Sequence, residues 1–459
     1  MGLPVHSGPR ENARRRPSPR LLALLLGWGA LMVASPLDGQ KQGSFPPTSR
    51  IVWLGDSITH QGLYSRFVED FFFSRYPLRK QLFVNCGVNG DRSADALARL
   101  DLDVAPWKPT KVFVCLGMND GAFSRDGIKA LPEFQRNIRG ILGGIRGLGA
   151  QAILLSPPPV DPHVFLRFGS PPPVEETLRG YNLVLKRFGS WLQTEAAKRK
   201  IPFVDLHNPL LQYQKRLKFR NPAESLSPDG IHPGNVGSAL IAITILKSLG
   251  EQKPRLSVGI QGNRPEIEGG RLRGLVRTSD GFQFQLRADA LPWVLPEEAR
   301  GAAVLEAGYL LFNRFLLQAK DLPPGDYELR VDGMALLTAT AKEWAKGVDL
   351  ALETDHPDWI QAEQCVAWNA ERGGLVRTGI RDIWEARRML ARSKQKGQSN
   401  SPDHRAIQER LKALEKNVGK VGVRLKELEA RIQNGNKPRW HAYSLHRLSF
   451  PQEPKKREP

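Results

Sequence analysis

Four short segments, far apart in the chain, hold the side chains that chemistry would use. Gly55-Asp56-Ser57-Ile58-Thr59 offers a hydroxyl at the end of an apolar run. Val88-Asn89-Gly90-Asp91 offers a backbone N–H with no side chain in its way, and Gly117-Met118-Asn119-Asp120 offers a carboxamide. Ser227-Pro228-Asp229-Gly230-Ile231-His232-Pro233 supplies an imidazole with a carboxylate three residues before it. Together these meet the needs of acyl transfer. Ser57 attacks once a base takes its proton, and an imidazole such as His232, a group that titrates near neutrality, is the natural base. Asp229 can reach back to the ring and fix its tautomer. The N–H groups of Ser57 and Gly90 and the side chain of Asn119 are candidate oxyanion donors, one such donor being worth about 10²–10³ in rate. Each segment also has a plainer reading. Asp56 or Ser57 can merely cap a helix, Gly90 can be a tight connection, Asn119-Asp120-Gly121 a turn, and Asp229 the cap of another turn. Only the catalytic reading requires all of them together, at strand ends and in this order.

The elements needed to bring them together are legible. Apolar runs at Ile51–Leu54, Leu82–Cys86, Val112–Leu116, Ala152–Leu155 and Phe203–Val204 alternate with helical patterns near 62–75, 93–104, 131–147, 175–199 and 235–249. Continuous apolar strands between amphipathic helices predict a parallel five-stranded sheet covered on both faces, an α/β flavodoxin-like three-layer sandwich. In such a sheet the ligand-binding rim lies at the carboxyl ends of the strands, where Ser57, Gly90 and Asn119 all fall. The Pro-rich stretch Ser156–Pro173 reads as a surface loop on the same rim.

The four segments resemble the four sequence blocks of the SGNH (GDSL-type) hydrolases over residues 48–250. The resemblance implies an esterase or lipase, with Ser57, Gly90, Asn119 and His232 as the four signature residues and Asp229 as the acid of the triad. It also implies a secreted bacterial type of member with a C-terminal extension, because Phe312-Asn313-Arg314 through Gly333 is similar to such extensions. No Gly-x-Ser-x-Gly elbow is present, which argues against an α/β-hydrolase source for the serine. The expected activity is ester hydrolysis through an acyl-enzyme, first as a carbohydrate O-deacetylase. A lysophospholipase, short-chain lipase or thioesterase is the alternative, and a non-catalytic cell-envelope scaffold a further one.

Residues 1–40 read as a signal peptide or N-terminal anchor: Arg10, Arg14, Arg15, Arg16 and Arg20 precede the apolar run Leu21–Ala34. The run is short for a membrane span, which needs about 20 residues. Export from the cytoplasm follows as the expectation. Past residue 250 the pattern changes. Gly-rich turns and alternating runs such as Phe282–Leu286 and Tyr327–Val331 predict a β-rich accessory region over 251–380. Residues 381–435 read as a helical hairpin or coiled-coil segment, with Ile407, Leu411, Leu414, Val418, Val421, Leu425, Leu428 and Ile432 in a heptad seam. That seam can pair with a second copy, or fold back on Arg381–Lys394 or on the body of the protein. Residues 436–459 read as a basic tail.

The three cysteines are too few for a disulfide scaffold, and Cys86 and Cys115 are either two buried thiols or a bridge. Net charge is +20, with an isoelectric point near 10. Such a field suits acidic polymers, an acidic ester substrate or an anionic membrane surface. Nothing besides charge points to nucleic acid, and neither a cofactor nor a metal is called for.

Overall fold

The computed structural model describes residues 44–164 and 175–448. Strands β1 (Arg50–Gly55), β2 (Leu82–Gly87), β3 (Lys111–Cys115), β4 (Gln151–Leu155) and β5 (Phe203–Val204) form one parallel sheet in the order β2-β1-β3-β4-β5. This is the flavodoxin-like order, and the five strands are the five expected ones. Helices α1 (Ser57–Gln61), α2 (Leu63–Arg75), α3 (Ser93–Ala98), α4 (Leu131–Gly147), α5 (Glu175–Arg199), α6 (His207–Arg220) and α7 (Asn235–Ser248) connect and follow them. Ile51, Val52, Trp53 and Leu54 are all fully buried, which is why the run is continuous rather than alternating. Trp53 stacks on Phe113 of β3 with ring centroids 4.2 Å apart. Helix α6 was not foreseen: only His207, Leu210 and Tyr213 of its residues are buried, too few to mark a helical period. Helix α7 is apolar on every side because it is enclosed on every side, by α2 and by residues 297–305 among others. Cys86 and Cys115 lie on strands separated by β1, and all three cysteines are free and buried.

The accessory region contains two sheets. One runs β13 (Val348–Asp349), β10 (Phe315–Ala319), β6 (Leu256–Gln261), β7 (Arg264–Glu268). The other runs β12 (Met334–Thr340), β11 (Asp326–Val331), β14 (His441–Arg447), β9 (Gly281–Ala288), β8 (Gly270–Thr278). Phe284, Phe315, Tyr327, Leu329, Trp344 and Tyr443 share the core between them. Asn313 fastens this region to the parallel-sheet layer. It takes the N–H of Trp293 at 2.6 Å and donates to its carbonyl at 2.8 Å, while the Trp293 indole donates to Phe67 of α2 at 3.0 Å.

Three short helices, α8 (Gly301–Leu305), α9 (Tyr309–Asn313) and α10 (Ala341–Lys346), lie within this region. Then come three long ones, α11 (Pro357–Val376), α12 (Asp382–Gln395) and α13 (Pro402–Gly435), with a π-helical turn, Arg377–Arg381, joining α11 to α12. Two expected boundaries therefore move. Residues 357–380 belong to the helical segment and not to the β-rich region 251–380. The stretch 436–459 is not simply a tail, because β14 enters the second sheet between β11 and β9. The heptad seam packs onto α11 and α12 of the same chain: at its C-terminal end Leu428 and Ile432 are buried, and Val421 meets Gly379 of the π-turn, while Val418 stays exposed. The expected signal or anchor, residues 1–40, lies outside the described residues, as do part of the Pro-rich loop and the last residues of the tail. Among the described residues no helix is long and apolar enough to cross a membrane.

Candidate active site

The rim is built by bringing a helix start close to two strand ends. Asp56 is buried and caps α1, its carboxylate taking the N–H of Ile58 at 3.0 Å, so the capping role falls to Asp56 and leaves the Ser57 hydroxyl free. Burial, followed at a distance by the charge of Asp120, pushes the Asp56 carboxyl up from 3.8 to about 7. Gly55 and Gly87 make the close approach possible. A Cβ on Gly55 would stand 2.1 Å from the Thr59 hydroxyl, and one on Gly87 would stand 2.4 Å from the His60 nitrogen.

His232 arrives from the loop before α7. Its Nε2 lies 2.8 Å from Ser57 Oγ, and its Nδ1 lies 2.6 Å from Asp229 Oδ2. The other oxygen of Asp229 accepts the N–H groups of Ile231 at 2.9 Å and His232 at 2.7 Å. One carboxylate thus shapes the turn and holds the ring. Partial burial raises the Asp229 carboxyl, but the bonds from His232 and Ile231 outweigh it and hold the group below its usual value. Gly230, at φ +84°, supplies the reversal that turns the imidazole back to the rim.

The remaining donors are cross-braced. Asn119 gives one N–H to the Asp91 carbonyl at 3.0 Å, which leaves its second N–H for a ligand. Asp120 accepts from the Ser93 backbone N–H at 3.0 Å and from its hydroxyl, tying the third strand's loop to the start of α3. Gly90 sits at φ +68° with open space where a Cβ would be. Beside it, fully buried Asp91 takes Arg99 Nε at 2.6 Å, and the same guanidinium donates to the Gly55 carbonyl at 3.2 Å. The structure therefore brings Ser57, Asp229 and His232 into one hydrogen-bonded row and places the Gly90 and Asn119 loops at neighbouring strand ends.

The sequence and the fold have counterparts in known proteins. Residues 53–240 match the model of the GDSL-like Lipase/Acylhydrolase family. The chain carries a GDSL-type acylhydrolase domain, and it is an ester-hydrolysing enzyme. An acetylxylan esterase of Geobacillus stearothermophilus is 24% identical over 222 residues, covering 44% of this chain and 94% of that relative. Among solved structures, BT4096, a gut microbial diltiazem-metabolizing enzyme, aligns with a TM-score of 0.77 at 23% identity, covering 88% of this chain and 98% of its own. That coverage extends the shared fold well past the acylhydrolase domain.

The acylhydrolase domain does not enclose its site alone. A cavity of about 310 Å³ holds Ser57, His232, His60 and Asn89 on one side. Arg377, Thr378 and Asp382, from the π-turn and the start of α12, line the other. Helix α12 also grips the Gly90 loop: Arg388 donates to the Asn89 carbonyl at 2.7 Å and pairs with Asp91, and Glu385 accepts from the Asn89 side chain at 3.2 Å. Asn85 links the layers. It accepts from Arg381 at 2.8 Å and from the Gly87 N–H at 2.9 Å, and donates to the Thr59 carbonyl at 2.6 Å. None of these cap residues was singled out from the sequence, where 381–394 reads only as a helix. His60 had a signal that went unused, since it lies one helical turn after Ser57 and shares its face. Burial, then the charge of Arg381, pushes the His60 ring down to about 4, and its Nδ1 lies 3.1 Å from the Gly87 carbonyl. His60, Asp382 and Glu385 bring ligating atoms within 4.8 Å of one another. The guanidiniums of Arg377 and Arg381 act on the same ring, and this positive surrounding disfavours a cation there.

Proposed function

We propose that this enzyme is a serine esterase that removes small acyl groups, foremost acetyl, from carbohydrate. The observation that carries the mechanism is the row Asp229–His232–Ser57, at 2.6 and 2.8 Å. Ser57 Oγ attacks the ester carbonyl as its proton passes to His232 Nε2. The N–H groups of Ser57 and Gly90 and the free N–H of Asn119 receive the oxyanion. Collapse breaks the C–O bond, and His232 returns the proton to the departing alcohol, leaving acyl-Ser57. Water, deprotonated by the same ring, then releases the acid and restores the serine. Asp229 keeps the imidazole in the tautomer whose Nε2 is bare.

The carbohydrate assignment is supported by the acetylxylan esterase relative and by a site bordered by amide, guanidinium and carboxylate groups suited to hydroxyls. We also propose that the protein works outside the cytoplasm, on the strength of the basic and apolar N-terminal segment. The test is an ester panel, from acetyl to octanoyl 4-nitrophenyl esters and acetylated oligosaccharides, with the protein and Ser57→Ala. Hydrolysis should favour acetyl and vanish in the variant. A rate rising with acyl length would refute the deacetylase reading, and activity retained without Ser57 would refute the mechanism. Fractionation of cells expressing the full chain tests export.

A further inference from the structure

A second cavity, of about 340 Å³, lies between the edge strand β2 and the π-turn that joins α11 to α12. Gln61 and Arg377 line both this cavity and the one that holds Ser57. Its walls combine two chemistries. The indoles of Trp107 and Trp384 supply flat apolar faces. Four guanidiniums, Arg66, Arg372, Arg377 and Arg381, stand against only two carboxylates, Glu69 and Glu429. Arg372 is paired with Glu69, and Arg381 donates to Asn85, a neutral partner. Arg381 is 98% buried, its relative exposure being 2%, yet among the described residues its Nε has no hydrogen-bond partner. The same holds for Arg66 Nε and Gln61 Oε1. Buried donors and acceptors in folded proteins are nearly always satisfied, so three unpaired ones on residues that line one cavity mark its wall as polar. Positive charge in excess selects the sign of an occupant.

We propose that this cavity receives the alcohol portion of the ester substrate, and that this portion is an acidic sugar whose carboxylate is met by Arg377 and the buried Arg381. Trp107 and Trp384 provide faces for the ring, and Arg377 stands where the sugar passes from this cavity to the one at Ser57. The proposal rests on the esterase reading above and names the substrate class of that same site.

The experiment compares kcat/KM for acetate release from an O-acetylated uronic-acid oligosaccharide and from its methyl ester, which lacks the charge. The protein should prefer the acid by about tenfold or more, the scale of one charge-assisted contact. Arg377→Gln should bring the ratio toward one, Arg377→Lys should keep part of it, and added salt should shrink it. A ratio near one in the unaltered protein overturns the proposal, as does an equal loss on both substrates in Arg377→Gln. A rate that climbs with acyl length assigns the cavity to the acyl chain and overturns it too. Failure of the underlying esterase reading shows separately, as hydrolysis of 4-nitrophenyl acetate that is absent or survives Ser57→Ala.

Discussion

Replacing Asp229 by Asn separates the two jobs of this carboxylate. Its Oδ1 accepts two backbone N–H groups, and an amide oxygen can accept them equally, so the turn that carries His232 should persist. Its Oδ2, 2.6 Å from the ring Nδ1, becomes an NH₂ group. That group donates to Nδ1 and drives the ring proton to Nε2, which then faces Ser57 Oγ as a donor and cannot take the serine's proton. The working tautomer then lacks the hydrogen bond to a charged carboxylate that the parent makes, about 1.5–3 kcal/mol, or roughly 10–150-fold in rate. Loss of the negative charge beside the forming imidazolium adds to this. Asp229 is 51% exposed, so water softens both effects. A fall of about 10²–10³ in kcat is expected, less than the ~10⁴ known where the acid of a triad is buried. Steady-state hydrolysis of 4-nitrophenyl acetate reads it. KM should barely move, because Asp229 touches no substrate atom, and the circular dichroism melt should match the parent. A kcat within about threefold of the parent would refute the tautomer argument.

Arg388→Met removes the arginine's share of the grip of α12 on the Gly90 loop, leaving the Glu385 contact, while Arg99 still neutralises Asp91. Stability should fall by about 1–3 kcal/mol, below the 3–5 of an abandoned buried charge, and kcat should drop about tenfold. Urea midpoints and turnover check both, and unchanged turnover would show the loop to be set without Arg388. Asp56→Asn keeps the acceptor for Ile58 and removes the titration. Because burial raises the folded carboxyl from 3.8 to about 7, the native state holds a proton that the unfolded chain releases. The stability that Asp56 lends is complete below about pH 4 and is lost as pH rises toward 7. The variant should therefore gain on the parent across that window and level off above it. Equal differences in urea midpoint at pH 5 and pH 8 would contradict the sign.

The hydrolytic layer was legible because its signals are local. Ile51–Leu54 is buried on both faces and reads as an unbroken run, and Ser57, Gly90, Asn119 and His232 each follow a strand or precede a helix within a few residues. What was missed depends on distance. Arg388 meets the Asn89 carbonyl 299 residues away, and a lone arginine on a helix ordinarily faces solvent. Strand β14 follows a 34-residue helix and finds its neighbours in β9 and β11, so nothing adjacent in sequence sets its register. The seam from Ile407 to Ile432 was visible, but a heptad pattern declares an apolar stripe and not the surface that covers it. Its cover is α11 and α12 of the same chain.

These long-range contacts bear on when the enzyme becomes complete. Every residue of the proposed catalytic row has left the ribosome by His232, yet the far wall of the cavity and the brace on the Gly90 loop come from 377–388. The interface between the two is charged as well as apolar: Arg372 pairs with Glu69, and Asn369 donates to Asp70 at 2.7 Å. Both acids lie on α2, and burial raises both carboxyls despite these partners. Without α11 they would be open to water, so the hydrolase domain alone would pay no such burial cost, but it would lack Arg377, Arg388 and the second cavity. The helical segment is in turn held from the accessory side, where Arg255 meets Asp358 at 2.9 Å, and β14 closes the sheet beyond it. Sequence order and order of assembly thus differ: the residues of the proposed catalytic row come first, and the far wall of their cavity is supplied only by the later helical segment, which the accessory sheets hold in place.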